Sequence, residues 1–384
     1  MILPIYLLDQ PGEQHVLKSA LHWISAVCLL TLSIFTTLVQ AAPTVGNTPA
    51  SVVFLNPGYS DEPFWVGYTQ FMQAAADGLG MHLQVIYGER DHRLLLQRAR
   101  ELLEEGTLPD YLLFVNEMYT APELLRLYAN SPVRLFSLHS TLTAEQHQIV
   151  GRSRERYRNW IGSLIPNDEQ AGYWMAEALI ARLDGKPGNL LAFAGVRNTP
   201  SSSLREEGLR RALVEHPEVT LQSLVYGEWR RNRAYEQAKL LLPRHPEVQL
   251  IWSANDEMAF GVMQAAQEMG RVPNKDIFLS ALNNSDEVLQ ARIDNKVSVL
   301  VGGHFTLGGW AMVMLHDYHA GTDFATRGGK DRVETLFTVL DADQAKRLQK
   351  RLSSQGYGLD FRQFSAVYNP NIRNYGFSVL PLLQ

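Results

Sequence analysis

Residues 51–80 of this 384-residue chain, SVVFLNPGYSDEPFWVGYTQFMQAAADGLG, give the first indication of its fold. A buried strand, SVVFLN, ends at the turn Asn56-Pro57-Gly58, and a helix begins near Phe64. The turn carries two carboxylates, and the helix opens with two large aromatic rings. A nearly continuous apolar strand followed by a helix of this length is typical of a βα unit in a parallel sheet.

The same alternation of short apolar runs and helical stretches continues along the chain. Strands are predicted at residues 51–56, 82–88, 111–116, 133–139, 190–195, 221–227, 250–255, 276–282 and 297–303. Amphipathic stretches that fit helices fill most of the gaps, and parallel strands require crossovers of this kind. The alternation of strands and helices is interrupted at residues 140–168, which are polar and irregular. The pattern therefore predicts two doubly wound parallel-sheet lobes of the α/β class.

The composition of the chain excludes several classes of function. A net charge of -5, 46% hydrophobic and 20% charged residues describe a globular protein without a basic surface for nucleic acid. An apolar run near residues 23–39, followed by Val39-Gln40-Ala41, predicts a signal peptide over residues 1–41, cleaved near Ala41. An uncleaved membrane anchor is the alternative, and whether Met1 is the true start stays open. The only cysteine, Cys28, lies inside this run, so disulfides and thiolate metal sites are excluded from the mature chain.

Polar and aromatic side chains recur where the predicted strands end. Candidate ligand-binding residues at this level are Glu62, Phe64, Trp65, Asn116, His139, Ser203, Trp229, Asn255, Asn283 and His304. Amides and carboxylates pair with neighbouring hydroxyls, and aromatic rings cover the apolar face of a sugar ring. We therefore expect a pocket for a polyhydroxylated ligand, with Phe64 and Trp65 as one wall and Trp229 as the other. Alternatively, the two helix aromatics are core residues, and Asn255-Asp256 is only a helix cap.

Three segments of the chain resemble the type I periplasmic sugar-binding proteins, also called solute-binding protein family 2. They are DEPFWVGY (61–68), TPSSSLREEGLRRAL (199–213) and ANDEMAFGVMQA (254–265). This superfamily includes the ribose- and galactose-binding proteins and the autoinducer-2 receptor. The resemblance covers about residues 48–335. It implies two lobes joined by a multi-strand hinge, a periplasmic location, and capture of a sugar or sugar-like molecule by hinge closure.

The resemblance places most of the candidate residues at ligand-contacting positions, with four departures. His139-Ser140 stands where the ribose-type proteins have Asp-Arg, and Asn283 stands where they have Asp. Ser203 occupies the place of an arginine that grips sugar hydroxyls, and His304 aligns with a ligand-contacting glutamine. The departures imply that the ligand is not ribose. The lack of the gripping arginine also leaves open a cationic ligand held by Trp65, Trp229 and Glu62.

The resemblance also implies lobe boundaries. Residues 48–164 with 304–333 are expected to form the N-terminal lobe, and residues 165–303 with 334–384 the C-terminal lobe. We expect the chain to cross between the lobes near Leu164–Asp168, Ser280–Ser285 and Gly302–His304, with a return near Val333–Leu340.

The expected function is delivery of the bound solute to the permease of an ABC transporter, without cofactor or metal. LFVNEMYTAPE (113–123) and the long C-terminal extension keep open a sensor subunit that signals to a membrane kinase or cyclase. An exported hydrolase is the remote alternative. Its candidate features are a Glu228/Asp256 carboxylate pair and a His316/His319 metal pair, but no G-x-S-x-G nucleophile elbow is present.

Overall fold

The computed structural model describes residues 48–384. The predicted signal peptide, its cleavage near Ala41 and Cys28 lie outside the described residues. Within residues 48–384, no helix has the length and apolar character needed to cross a membrane. Two six-stranded sheets, each with helices packed against it, organise this part of the chain.

The first sheet has the strand order β11-β5-β4-β3-β1-β2, and all its strand pairs are parallel. Its strands are β1 (Ser51–Asn56), β2 (His82–Tyr87), β3 (Tyr111–Phe114), β4 (Arg134–Leu138), β5 (Trp160–Pro166) and β11 (Asp331–Glu334). The order 2-1-3-4-5 is that of a doubly wound α/β fold, in which ligands bind beyond the carboxyl ends of the strands.

The second sheet has the order β12-β10-β9-β8-β6-β7, and only the pairing of β12 with β10 is antiparallel. Its strands are β6 (Gly188–Ala194), β7 (Val219–Tyr226), β8 (Leu250–Ser253), β9 (Phe278–Leu282), β10 (Val299–Gly302) and β12 (Thr338–Leu340). The predicted fold class is therefore confirmed as two α/β lobes with largely parallel sheets.

Eleven α-helices cover these sheets in the described part of the chain. They are α1 (Pro63–Leu79), α2 (His92–Glu104), α3 (Ala121–Leu127), α4 (Ala144–Val150), α5 (Asp168–Ile180), α6 (Pro200–Glu215), α7 (Arg231–Leu241), α8 (Asp256–Glu268), α9 (Asp286–Ile293), α10 (Leu307–His319) and α11 (Ala342–Leu352).

Helix α1 shows why the opening stretch folds as predicted. Pro63 occupies its first turn, where a missing backbone N–H costs nothing, and Gly80 ends it in a left-handed conformation with φ 68°. The face between these ends buries Tyr68, Phe71 and Met72 completely. This face packs against the first sheet and against α10.

Three strands were missed by the sequence pattern. β5 lies inside the stretch predicted to be irregular, because Gly162, Ser163 and Pro166 interrupt its apolar residues. β11 and β12 are edge strands of four and three residues, and β11 carries three charged residues. Short edge strands with charges lack the continuous apolar run that marks a central strand.

The chain passes between the sheets at three short segments. These are Asn167 between β5 and α5, residues 303–306 between β10 and α10, and residues 335–337 between β11 and β12. The crossing predicted at Ser280–Ser285 is wrong, because β9 and α9 both pack within the second lobe. Gly303 is required at the second crossing, since its φ is 119° and a Cβ there would lie 2.1 Å from the Leu336 carbonyl oxygen.

The C-terminal segment, residues 353–384, contacts both lobes. Its rings at Tyr357 and Phe361 pack on Phe71 of α1 at centroid distances of 5.0 and 5.3 Å. Further along, the backbone carbonyl of Leu383 accepts a 2.6 Å hydrogen bond from Arg347 of α11. Residues 355–377, which the sequence places in the C-terminal lobe, therefore lie against helices of the N-terminal lobe.

Asp317 anchors this segment. Its buried carboxylate accepts hydrogen bonds from the Ser365 hydroxyl, the Ala366 backbone N–H and the Tyr375 hydroxyl, the last at 2.7 Å. Burial acts to raise the pKa of Asp317, but the bonds from His316, Ser365, Tyr375 and Ala366 outweigh it and lower the pKa.

Asp317→Ala is expected to lower the free energy of unfolding by about 3 kcal/mol, because four hydrogen-bond partners, three of them in the C-terminal segment, lose a charged acceptor. Chemical denaturation measures this loss, and limited proteolysis should show faster cleavage within residues 353–384. Asp360→Ala is the matched control, since Asp360 bonds only to Arg362 on the surface, and it should cost less than about 0.5 kcal/mol. Equal losses in the two variants would contradict the anchoring.

Candidate functional site

A narrow cavity of about 40 Å³ lies between the carboxyl ends of the two sheets. Its walls are Glu62, Phe64, Trp65, Arg90, Glu117, His139, Thr199, Ser201, Arg205, Trp229, Asn255, Asn283 and His304. Both lobes supply these residues, which therefore meet only when the lobes are together.

Eight of the ten candidate ligand-binding residues line this cavity, and two do not. Asn116 is fully buried, and its amide bonds to the Thr141 carbonyl, the Gln146 side chain and the Ala121 backbone N–H. It holds the loops after β3 and β4 together. Ser203 lies on α6 and faces a separate groove with Leu204.

An arginine that the sequence analysis did not select lines the cavity. Arg205, two residues after Ser203, is 3% exposed and lines the cavity. Its Nε donates a 2.7 Å hydrogen bond to Asp168, and one Nη donates a 2.9 Å hydrogen bond to the Ala254 carbonyl. Burial raises the pKa of Asp168, although the charge of Arg205 opposes this effect. The guanidinium is thus held rigidly beside the cavity.

A second arginine was also missed. Arg90 follows β2 in a left-handed conformation, with φ 58°. It bonds to the Glu62 carboxylate and donates 3.0 Å to the Glu117 carboxylate. Burial acts to lower the pKa of Arg90, but the two carboxylates raise it overall, and burial raises the pKa of Glu117. Because Arg90 binds two carboxylates, its charge is fully compensated.

Aromatic rings form the N-terminal wall. The Phe64 ring stacks on the His304 ring at 4.7 Å and lies 5.5 Å from the His139 ring. Trp65 is 3% exposed and packs on Tyr68 as well as on His139, so it belongs to both the core and the wall. The alternative that the two helix aromatics are core residues therefore fits Trp65 better than Phe64.

Trp229 faces this wall from the C-terminal lobe. Trp229 is half-buried and lies at a turn, where its φ is 64°. Its ring packs on Gly195, and a Cβ at position 195 would lie only 2.0 Å from the ring atoms. The Arg205 guanidinium carbon is 5.5 Å from the ring centroid. The ring presents a flat surface, and the remaining Nη group of the Arg205 guanidinium lies beside it.

The two histidines of the wall are uncharged at neutral pH. Burial, followed by the charges of Arg205 and Arg90, lowers the pKa of His139 to about 3. Burial, with Arg205 and His139, lowers the pKa of His304 well below its usual value. The Nδ1 atoms of both rings are buried without a hydrogen-bond partner. Neutral imidazoles can donate or accept one hydrogen bond each toward a ligand.

His139 should make stability depend on pH. The unfolded chain binds a proton at His139 below about pH 6.5, whereas the folded chain does so only near pH 3. The wild type therefore loses stability as the pH falls through this range, and a His139→Gln variant lacks this contribution. Between pH 7 and 5, the free energy of unfolding of the wild type should drop by about 2 kcal/mol more than that of the variant. Urea denaturation at the two pH values measures both changes. An equal drop in the wild type and in the variant would contradict the lowered pKa of His139.

Two asparagines complete the C-terminal wall. The Asn255 side chain caps α8, because its Oδ1 accepts a 2.9 Å hydrogen bond from the Met258 backbone N–H. Its Nδ2 donates a hydrogen bond to the Trp229 carbonyl. The alternative of a helix cap is thus correct for Asn255, which also lines the cavity. Asn283 donates 2.7 Å to Asp256, which lies buried behind it.

The features of the hydrolase alternative do not come together. Glu228 pairs with Arg233 at 3.2 Å outside the cavity, while Asp256 is buried behind its wall. His316 stacks on Tyr368, whereas His319 lies beside the Thr48 carbonyl. Among residues 48–384, no group of three or more His, Cys, Asp or Glu side chains is placed to hold a metal ion.

Comparison with known proteins agrees with this geometry. Residues 163–323 match the family model described as a periplasmic binding protein domain. The ribose import binding protein of Salmonella typhimurium is 23% identical over 241 residues, which are 63% of this chain and 75% of that protein. The galactofuranose-binding protein of Escherichia coli is 19% identical over 274 residues, covering 70% and 82%.

A solved structure is much more similar. A periplasmic sugar-binding protein from Pseudomonas fluorescens is 51% identical, with a TM-score of 0.81, and the match covers 87% of this chain and all of that one. The sequence match, the two α/β lobes and the cavity between their strand ends agree with one another. The chain therefore belongs to the type I periplasmic sugar-binding proteins.

Proposed function

We propose that this protein binds one small, uncharged, polyhydroxylated ligand, a monosaccharide or a close analogue, between its two lobes and delivers it to an ABC transporter. The observation that carries the proposal is a narrow cavity with aromatic walls, in which every charged group already has a partner. The names of the ribose- and galactofuranose-binding relatives support the same class of ligand.

The pairing of charges favours a neutral ligand. Arg205 is paired with Asp168, and Arg90 is shared by Glu62 and Glu117. Sugar hydroxyls can accept from the remaining guanidinium N–H groups without adding charge. A sugar phosphate would bring negative charge to a cavity with no uncompensated cation, and desolvating it would be costly. A cationic ligand, which the sequence left open, would find Glu62 and Glu117 already bound to Arg90.

The lining favours a single small ring. The cavity volume of about 40 Å³ is far below the roughly 300–1,000 Å³ that small-molecule sites usually span, so the walls must move apart to admit a ligand. The rings of Phe64 and Trp229 are available to cover the two faces of such a ligand. Donors at Arg205 and Asn255 lie on one side, and the two imidazoles lie on the other.

Contacts across the cleft support capture by closure. The Arg230 guanidinium of the C-terminal lobe donates 2.5 Å to the Tyr59 hydroxyl of the N-terminal lobe at the cleft mouth. The Arg205 guanidinium carbon also lies 5.9 Å from the ring of Phe337, at the third crossing. A ligand that touches both lobes would favour this closed arrangement by its differential affinity for it.

Thermal melting of residues 42–384 against a panel of neutral sugars tests the ligand class. Pentoses, hexoses and polyols should be compared with their phosphates and with quaternary amines. A ligand at a hundredfold excess over its dissociation constant stabilises the native state by about 2.7 kcal/mol. We expect a clear upward shift with at least one neutral sugar and none with its phosphate. A shift confined to charged compounds would contradict the proposal.

The membrane partner needs a separate experiment. We propose an ABC permease, and the sensor alternative predicts a kinase or cyclase instead. Ligand-dependent crosslinking of the protein in intact cells, followed by identification of the captured membrane protein, distinguishes the two. Capture of a kinase or cyclase, with no permease, would overturn the transport assignment while leaving ligand binding intact.

A further inference from the structure

Asp256 is a buried carboxylate that lies behind the cavity wall. It is the first residue of α8 and is 2% exposed. Its partners are the Asn283 amide at 2.7 Å, the Ser285 hydroxyl at 2.5 Å and the Glu257 backbone N–H at 3.0 Å. Burial raises the pKa of Asp256 to about 6, so the ionised group is held at a cost.

The partner Asn283 lines the cavity and has an unusual backbone. Its φ is 136°, a region that non-glycine residues rarely adopt and that is costly to hold. It follows β9, and a Cβ at Gly302 of the neighbouring strand β10 would lie 2.9 Å from its carbonyl oxygen. The side chain of Asn283 lies between Asp256 and the cavity.

The amide of Asn283 can face the cavity in two ways. A side-chain amide has one acceptor oxygen and one NH₂ donor on opposite sides. A carboxylate can only accept hydrogen bonds, so Asp256 must bind the NH₂ group. The Oδ1 atom of Asn283 then points away from Asp256, toward the cavity. A neutral residue at position 256 would allow either orientation.

We propose that Asp256 is a positioning residue that fixes the Asn283 amide with its oxygen toward the cavity, where it accepts a hydrogen bond from a ligand hydroxyl. This inference rests on the proposed function. It makes Asn283 an acceptor on a wall where Arg205 and Asn255 supply donors. The site then selects a ligand with a free hydroxyl at that point and discriminates against the deoxy analogue.

Exchanging the two side chains tests this arrangement. In Asn283→Asp alone, two carboxylates face each other at the 2.7 Å contact, and the affinity for the neutral sugar with the largest melting shift should fall at least about 30-fold. In the double variant D256N/N283D, the new amide donates to the new carboxylate, whose second oxygen faces the cavity. Its affinity should return to within about fivefold of the wild type, as measured by titration calorimetry.

The unliganded melting temperatures give a second readout. Asn283→Asp should lower the melting temperature, and D256N/N283D should restore it, whether or not a ligand has been found. Absence of any sugar-induced shift in the wild type would contradict the proposed function, whereas the melting cycle tests the pairing by itself. Additive effects of the two substitutions on melting, or a double variant that binds as weakly as Asn283→Asp, would overturn the positioning by Asp256.

Discussion

Replacing Arg205 with alanine is expected to lower the free energy of unfolding by about 3–5 kcal/mol and to abolish ligand binding. The stability is lost because Asp168, which is 2% exposed, would keep a buried charge without its partner. Binding is lost because the free Nη group of Arg205 is the main donor on its side of the cavity. Urea denaturation and titration calorimetry measure the two effects separately.

A double variant separates the two contributions of Arg205. Adding Asp168→Asn to Arg205→Ala removes the uncompensated charge, so much of the lost stability should return while binding stays absent. Arg210→Ala is the matched control on the same helix, because its ion pair with Glu206 is largely exposed on the arginine side. It should cost less than about 0.5 kcal/mol. Additive losses in the double variant would contradict the buried ion pair.

Trp229→Ala is expected to weaken ligand binding about 100-fold, or about 2.7 kcal/mol, while the chain still unfolds cooperatively. The ring covers one side of the cavity and rests on Gly195, whose lack of a side chain makes room for it. Its half-buried position means that its removal opens a wall of the site and leaves the sheets intact.

Trp174→Ala is the control for loss of a tryptophan, since Trp174 lies on α5 away from the cavity. It should bind the ligand as the wild type does. Titration calorimetry on the two variants and the wild type gives the comparison. An affinity of Trp229→Ala equal to that of the wild type would remove this residue from the proposed site.

The parts of the fold that depend on apolar periodicity were predictable. Central strands such as β1 and β8 are continuous apolar runs, and the helices between them keep a buried face. β11 was not predictable, because its sequence DRVE has the composition of a loop, and it becomes a strand only through pairing with β5. The pairing comes from tertiary structure, which overrides local preference.

The site was predictable where residues follow strands directly, as with His139 and Asn283. Arg205 was missed because it sits within a helix whose sequence, LREEGLRR, looks like a solvated surface. A signal was present nevertheless: Arg205 shares helical spacing with the buried residues Ser201, Gly208 and Ala212. A charge on the small-residue face of a helix predicts a buried partner, here Asp168.

The late position of the C-terminal segment has a consequence for biosynthesis. A ribosome releases about 5–20 residues per second, N-terminus first. The first sheet nevertheless takes its edge strand from residues 331–334. Phe71 of α1 packs on two rings that are synthesised later still, Tyr357 and Phe361. The N-terminal lobe thus remains unfinished until almost the whole chain has been translated. We expect a chain that acquires its final contacts this late to stay largely unfolded during most of its synthesis.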